Sequence, residues 1–129
     1  MVVTGGAARI GRHISLALAR NGFSVAVHYF SSESDAKDLV SEIQSFGGEA
    51  THIQCDLSRP KTASEIISIA ENSLGPVVGL VNNASMFSHD DISTVSKESW
   101  SDHMEVNALS PILLIGELVR RLPDGKNAC

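Results

Sequence analysis

The chain has 129 residues, of which 43% are hydrophobic and 19% charged, as in a soluble globular domain. Its 10 Lys and Arg against 15 Asp and Glu give a net charge of -5, which argues against nucleic-acid and anionic-membrane surfaces because both need clustered positive charge. No apolar run approaches the ~20 residues that span a bilayer, no signal peptide is recognisable, and the 2 cysteines make no disulfide framework, so a cytoplasmic setting is expected.

Short β-branched runs alternate along the chain with longer amphipathic stretches. The runs predict strands at residues 2–3, 24–29, 50–55 and 77–81. Helices are predicted at residues 10–21, 35–46, 60–73 and 97–122, the third opening at Pro60, and a loop at residues 82–95. In the second helix, Ala36, Leu39, Val40 and Ile43 share one face. This alternation predicts an α/β fold, a doubly wound parallel sheet of the Rossmann type in three layers, within one domain.

Both ends of the chain look abrupt. Residues 1–3 have the pattern of the last residues of a strand, and residues 122–129 that of a turn leading towards a further strand. We therefore expect residues 1–129 to be the N-terminal part of a domain whose C-terminal portion lies outside this sequence.

A Gly-rich turn, TGGAARIG at residues 4–11, joins the first predicted strand to the first predicted helix. Small residues let the backbone approach a pyrophosphate, and the positive end of the helix attracts its charge. The strand–turn–helix context therefore favours dinucleotide binding over the alternative of an ordinary tight turn.

This turn resembles the TGxxxGxG motif of the short-chain dehydrogenase/reductase family, with Arg9 replacing the middle glycine. Arg9, the NNAS sequence at residues 82–85 and the aromatic Phe87 are similar to the pteridine reductase branch of that family. The resemblance extends over the whole chain. It implies an NADP(H)-dependent oxidoreductase with a small-molecule substrate, assembled as a homodimer or homotetramer through the last helix.

The resemblance also implies a set of cofactor-binding residues, among which Asp56 contacts the adenine ring. The set comprises Gly5, Arg9, Ile10, Gly11, His28, Tyr29, Ser31, Ser32, Asp56, Leu57, Asn83, Ala84 and Ser85.

The end of the second strand, HYFSS at residues 28–32, favours NADP(H) over NAD(H). An NAD-dependent enzyme usually has an acid here for the ribose hydroxyls, whereas the first acid in this chain is Glu33. Ser31 and Ser32 can donate hydrogen bonds to a ribose 2′-phosphate, and Tyr29 can pack near it. The segment resembles the HYxxS stretch of pteridine reductases, with Ser31 in place of their basic residue. The alternative is that the two serines only begin the turn before the next helix.

Three residues are candidates for substrate binding. A flat heteroaromatic substrate stacked on Phe87 gains about 0.5–1.5 kcal/mol beyond burial. Arg9 and Ser85 would supply polar contacts. The alternatives are a Phe87 anchored in the core and an Arg9 that is only a solvated loop charge.

Asn107 is the candidate catalytic residue. Pro111 has no N–H, so the Asn107 carbonyl loses its helical partner and the helix is predicted to kink. Asn107 matches the asparagine of the family's Asn-Ser-Tyr-Lys tetrad, whose main-chain carbonyl holds a water in the proton relay. The other three residues of the tetrad are absent, since the single tyrosine, Tyr29, is followed four residues later by Glu33. The alternative is a kink with only structural consequences.

Three functions therefore stay open: a pteridine reductase, a reductase of another carbonyl (a ketoacyl thioester, a sugar or a small ketone), and a truncated, non-catalytic NADP-binding protein. No metal site is predicted, because the histidines show no metal-ligand spacing. Four of them, His13, His52, His89 and His103, are interpreted as surface or cap residues.

Overall fold

The structure, a computed structural model, describes residues 1–59, 62–122 and 128–129. Within this part of the chain one parallel sheet of four strands has the order β3-β2-β1-β4. The strands are β1 (Val2–Val3), β2 (Val25–Tyr29), β3 (Ala50–Gln54) and β4 (Leu80–Val81). The helices are α1 (Arg9–Arg20), α2 (Glu33–Ser45), α3 (Thr62–Leu74), α4 (Lys97–Met104) and α5 (Ser110–Arg121), with a π-helical segment (Glu105–Leu109) between the last two.

The sheet order reverses at β1, which is the feature that creates a binding site in this class of fold. Val3 pairs with Val27 of β2 on one side and with Val81 of β4 on the other, in parallel register. The strands that follow β1 in sequence therefore lie on opposite sides of it. Ligands of open parallel sheets bind beyond the carboxyl ends of the strands at such a switch point.

Two apolar clusters cover the two faces of the sheet. Because neighbouring strand residues point to opposite faces, Val25 and Val27 pack with α1 and α2, whereas Ala26 packs with α3 and α5. The predicted apolar face of α2 (Ala36, Leu39, Val40 and Ile43) is buried. The doubly wound three-layer prediction is confirmed.

The fourth strand is shorter than predicted. It pairs with β1 only at Leu80–Val81, whereas the sequence predicted a strand over residues 77–81. On its other side, Cys129 N–H donates to Val78 O (3.1 Å) and Leu80 N–H donates to Cys129 O (2.8 Å). The main chain at residue 129 thus bonds along β4, where the sequence predicted the approach to a further strand.

The last predicted helix, residues 97–122, is interrupted. Pro111 stands in the first turn of α5, and the five residues before α5 form the π-helical segment. The sequence predicted a kink near Asn107, and the structure has there a π-helical segment with the wider i→i+5 turn. The predicted start of α3 at Pro60 lies outside the described residues. Among the helices that are described, none is long and apolar enough to cross a membrane.

Candidate cofactor and substrate site

A cleft of about 790 Å³ opens beyond the carboxyl ends of the strands. It contains most of the site residues that the sequence predicted: Gly5, Arg9, Ile10, Gly11, His28, Asp56, Leu57, Asn83, Ala84, Ser85 and Phe87. It is also lined by residues that the sequence did not single out, namely Ala8, Phe30, Ser58, Met86, Asp102 and Val106.

The loops that follow β1 and β4 are joined by one buried hydroxyl. Thr4 Oγ1 accepts hydrogen bonds from the N–H groups of Asn83 and Ala84, both at 3.0 Å. In return, Asn83 Nδ2 donates to the carbonyls of Thr4 (3.0 Å) and Gly5 (3.1 Å). These four bonds fix the Gly-rich turn relative to the NNAS segment, although the two are about 80 residues apart in the chain.

Gly11 is required by close packing at the start of α1. A Cβ at this position would lie 2.0 Å from the Gly5 carbonyl oxygen and 2.7 Å from Asn83 Nδ2. Gly5 itself has φ +58°, in the left-handed region that glycine adopts freely. The turn and the helix can therefore approach each other closely.

The N-terminus of α1 is suited to a diphosphate. The N–H of Arg12 makes the first helical hydrogen bond, to Ala8 O (3.1 Å), so the N–H groups of Arg9, Ile10 and Gly11 precede the helical ladder. These three residues line the cleft, and the first turn, which is fully described, holds no acid. Free N–H groups and the helix dipole together attract an anion, so these residues fit the diphosphate of a dinucleotide.

Arg9 has an unusual backbone conformation. Its φ is +49°, in the left-handed region, at the position where the TGxxxGxG motif has glycine. The residue is exposed, and within the described residues its guanidinium forms no ion pair. A side chain is thus kept at the cleft in spite of a backbone geometry that favours glycine.

His28 supports the Gly-rich turn from within the core, where it is 2% exposed. Gly5 N–H donates to His28 Nδ1 (3.2 Å), and Nε2 lies 3.1 Å from Cys55 O. A carbonyl can only accept, so Nε2 carries the hydrogen and the ring is neutral. Burial lowers the pKa of His28 from its ordinary value of 6.5, and the bond to Cys55 only partly offsets this.

Asp56 and Leu57 form a fixed turn at the end of β3. Ser58 donates to Asp56 Oδ1 from its N–H (3.0 Å) and its hydroxyl (2.7 Å), and these bonds lower the pKa of Asp56. The Ser110 hydroxyl of α5 donates to Leu57 O. The Asp56 carboxylate is therefore ionised and held at the cleft.

Phe87 lies in the loop after β4 and is 77% exposed, so the alternative that it is anchored in the core is wrong. The main chain of its neighbour Met86 makes two bonds with the Asn107 side chain: Met86 N–H donates to Asn107 Oδ1 (2.7 Å), and Asn107 Nδ2 donates to Met86 O (2.8 Å). The ring meets His89 edge-on, with centroids 5.0 Å apart. An exposed aromatic face is therefore available at one end of the cleft.

Four predicted residues do not line the cleft. Tyr29, which was predicted to pack near a phosphate, is buried in the core beside α1 and α2 and is 3% exposed. Ser31 and Ser32 lie at the start of α2, where Ser32 is the N-cap. The Asn107 side chain forms hydrogen bonds with Met86 and does not line the cleft.

Phe30 lines the cleft in place of Tyr29, with a ring that is 63% exposed. Strand alternation is the signal that could have found it, since a buried Tyr29 turns the next side chain to the other side. No sequence pattern could have placed Asp102 and Val106 at the cleft, because their position depends on how the last helical stretch crosses the sheet.

Comparison with known proteins agrees with this geometry. The family model described as short chain dehydrogenase matches residues 1–128. The short-chain dehydrogenase/reductase homolog YusS of Bacillus subtilis is 40% identical over 100 residues, which are 75% of this chain and 92% of YusS. The 3-oxoacyl-acyl-carrier-protein reductase FabG of Staphylococcus epidermidis is 34% identical over 106 residues, 82% of this chain and 43% of FabG.

A solved structure with a similar fold is FolM alternative dihydrofolate reductase 1 from Brucella suis in complex with NADP. It is 33% identical, with a TM-score of 0.92 over 98% of this chain and 52% of its own. Apart from YusS, the chain thus spans about half the length of these relatives. The match over nearly the whole chain, with the sheet order and the Gly-rich turn, shows that the chain belongs to the short-chain dehydrogenase family.

Proposed function

We propose that this chain forms the cofactor-binding part, and one wall of the substrate site, of an NADPH-dependent reductase acting on a pteridine or a related carbonyl or imine compound. One observation carries the proposal. The anion-binding turn, the Asp56–Leu57 turn, the NNAS segment and the exposed Phe87 line a single cleft.

The cofactor would be held by main-chain groups at one end and by side chains at the other. The turn from Gly5 to Gly11 would bind the diphosphate, and the ionised Asp56 would accept a hydrogen bond from the adenine amine. Asn83, Ala84 and Ser85 would line the path between the adenine and the nicotinamide. NADP is supported by the FolM complex and by the end of β2, where the first acid, Glu33, is paired with Lys37 (2.7 Å) inside α2.

The substrate would stack on Phe87, with Arg9 and Ser85 as polar contacts. Bound NADPH supplies the hydride, and the protein holds the two reactants in register. Asn107 stays a candidate for the proton relay through its main-chain carbonyl. The hydrogen bonds to Met86 involve only the Asn107 side chain, so they do not occupy this carbonyl.

The test begins with the affinity of the complete protein for the two nicotinamide cofactors. We expect NADPH to bind at least about 10-fold more tightly than NADH, the equivalent of 1.4 kcal/mol. NADPH oxidation is then followed with dihydrobiopterin, dihydrofolate and acetoacetyl thioesters. Equal affinity for the cofactors would contradict the NADP assignment, and turnover of the thioester alone would contradict the pteridine assignment.

A matched pair of variants tests the stacking face. Phe87→Leu should raise KM for a pterin about 2- to 12-fold, the range given by 0.5–1.5 kcal/mol of lost stacking. Phe23→Leu is the control, since Phe23 is also exposed but does not line the cleft. Equal effects of the two substitutions would argue against stacking on Phe87.

Two alternative functions would use the same cofactor but differ in whether, and on which substrate, a reduction takes place. FabG, at 34% identity, supports a ketoacyl thioester reductase, which the substrate panel distinguishes. YusS supports a shorter NADP-binding protein, because the matched region is 92% of its length. NADPH binding without turnover of any substrate would favour this second alternative.

The last helical stretch supports a homo-oligomer. Exposed apolar side chains follow one another along it: Trp100, Met104, Leu109, Ile112, Ile115 and Val119. A contiguous apolar surface of this kind is typical of subunit interfaces. Sedimentation of the complete protein should give a dimer or a tetramer, and a monomer at micromolar concentration would contradict this.

A further inference from the structure

His103 of α4 contacts the loop that carries Phe87. Ser88 N–H lies 3.1 Å from His103 Nε2, and His103 Nδ1 lies 2.7 Å from Ser99 O. An N–H only donates and a carbonyl only accepts, so Nδ1 carries the hydrogen and Nε2 is the acceptor. The contact requires a neutral imidazole in this one tautomer.

The main chain on both sides of Phe87 is therefore held by side chains from one helical stretch. Asn107 binds the N–H and the carbonyl of Met86, and His103, four residues earlier, binds the N–H of Ser88. Residues four apart on a helix are neighbours, so the two side chains act together on a three-residue segment.

Phe87 depends on these bonds because burial does not hold it. Its ring is 77% exposed, and its described ring contact is with the exposed His89. A fixed backbone sets the direction of the Cα–Cβ bond, and the rotamers open to the ring depend on the backbone φ and ψ angles. The orientation of the ring therefore follows from the backbone at Met86 and Ser88.

Ser99 connects His103 to the rest of the loop. Its carbonyl receives the His103 Nδ1 bond, its hydroxyl donates to Asp90 Oδ2 (2.8 Å), and its N–H donates to the Ser96 hydroxyl (3.1 Å) that caps α4. The ring of His103 is thus oriented by a residue that is itself fixed at the start of the helix.

We propose that His103 is a positioning residue for the substrate: by accepting the Ser88 N–H it fixes the main chain at Phe87 and so the ring on which the substrate stacks. The substrate part of this inference rests on the proposed function. The part that concerns the loop does not.

Two substitutions separate the two bonds of the imidazole. In His103→Gln the side-chain oxygen reaches about as far as Nε2 and can still accept from Ser88. In His103→Asn the shorter amide reaches only the position of Nδ1, so the Ser88 bond is lost. His13→Asn, at an exposed histidine of α1 outside the cleft, is the control for the substitution itself.

Four quantities are measured on the complete protein: the hydrogen exchange rate of the Ser88 amide by NMR, the Kd for NADPH, and KM and kcat for a pterin. For His103→Asn we expect the Ser88 amide to exchange at least about 5-fold faster, as loss of one hydrogen bond implies. KM for the pterin should rise by a similar factor while the Kd for NADPH changes less than about 2-fold. In His103→Gln both the exchange rate and KM should stay close to the values of the parent protein.

An unchanged Ser88 amide in His103→Asn would overturn the inference. So would an equal rise of KM in the Asn and Gln variants, since that would show a role independent of the Ser88 bond. If no pterin is reduced by the parent protein, the proposed function fails. The exchange rate and the contact of the Phe87 ring with His89, seen as a nuclear Overhauser effect, then decide the positioning role alone.

Discussion

The two sides of the cleft are fixed in different ways. On the cofactor side, Thr4 and His28 are buried and bind main-chain groups of the Gly-rich turn and of the loop after β4. On the other side, which we propose binds the substrate and call the substrate side, the loop at residues 86–96 is mostly exposed and is held by Asn107 and His103 of the last helical stretch. The difference teaches where specificity can change: a side chain such as Phe87 can be replaced without disturbing the core, whereas the turn cannot.

A histidine serves each side, in opposite tautomers. His28 carries its hydrogen on Nε2 and accepts the Gly5 N–H at Nδ1, whereas His103 carries its hydrogen on Nδ1 and accepts the Ser88 N–H at Nε2. In each case a carbonyl on the far side of the ring selects the tautomer. Four substitutions or conditions test how far the two sides differ.

The largest effect is expected for Gly11→Ala. The new Cβ would meet the Gly5 carbonyl at 2.0 Å, so the turn or the helix must shift, at a cost of at least about 3 kcal/mol in the free energy of unfolding. Urea unfolding and NADPH titration measure it, and the Kd should rise at least about 100-fold.

Gly116→Ala is the matched control within another helix. A Cβ at Gly116 would lie 3.5 Å from Arg120 Nη1, an ordinary contact, so the change should stabilise by up to about 1 kcal/mol. Similar destabilisation by both substitutions would refute the view that close approach at the turn sets the requirement.

Thr4→Val should have the second largest effect. The substitution keeps the shape and leaves the N–H groups of Asn83 and Ala84 without their acceptor, which should lower the free energy of unfolding by about 2–4 kcal/mol. Thr4→Ser keeps the hydroxyl and should lose only about 1 kcal/mol, for the methyl group. Equal losses in the two variants would mean that packing, and not the hydroxyl, joins the two loops.

On the substrate side, Asn107→Leu should change the free energy of unfolding by no more than about 1 kcal/mol, because the lost bonds to Met86 are at an exposed site. The main-chain carbonyl is kept, so KM for the substrate should rise more than kcat falls. Asn72→Leu, at an exposed asparagine of α3, is the control. A collapse of kcat with KM unchanged would contradict a positioning role for the side chain.

The smallest effect is the pH dependence that His28 brings to stability. Its pKa in the fold is lowered by burial below the ordinary 6.5, so the unfolded chain binds the proton more readily. Its contribution is therefore complete above pH 6.5 and is lost as the pH falls through the lowered value. Urea unfolding between pH 8 and 5, compared with His28→Gln, measures it, and parallel curves for the two proteins would exclude it.

Much of the fold followed from the sequence because its patterns are local. The apolar face of α2 and the buried run of β2 depend only on residue spacing, and both are found. The length of β4 did not follow, because Val77 and Val78 have strand-like side chains but do not pair with β1. Pairing depends on a neighbouring strand, which spacing does not record.

The site was predictable where it depends on backbone and less so where it depends on side-chain direction. Gly5, Gly11 and Asn83, which line the cleft, could be predicted because small residues and amides at a strand end suit few other roles. Phe30 was not singled out, because the segment was interpreted as a motif and not as an alternating strand. His103 was passed over because a lone histidine on a helix gives no sign of which loop will cross it.

Because residues 105–109 form a π-helical segment, the number of residues in this stretch matters as well as their identity. A π turn arises when one extra residue is accommodated within an α-helix, and one residue corresponds to about 100° of helical rotation. Deleting a single residue here would remove the extra residue and would turn His103 away from the loop, or Leu114 and Leu118 away from the sheet. Substitutions in this segment can be absorbed, but changes in its length would uncouple the end of the helix that holds the Phe87 loop from the end anchored in the core.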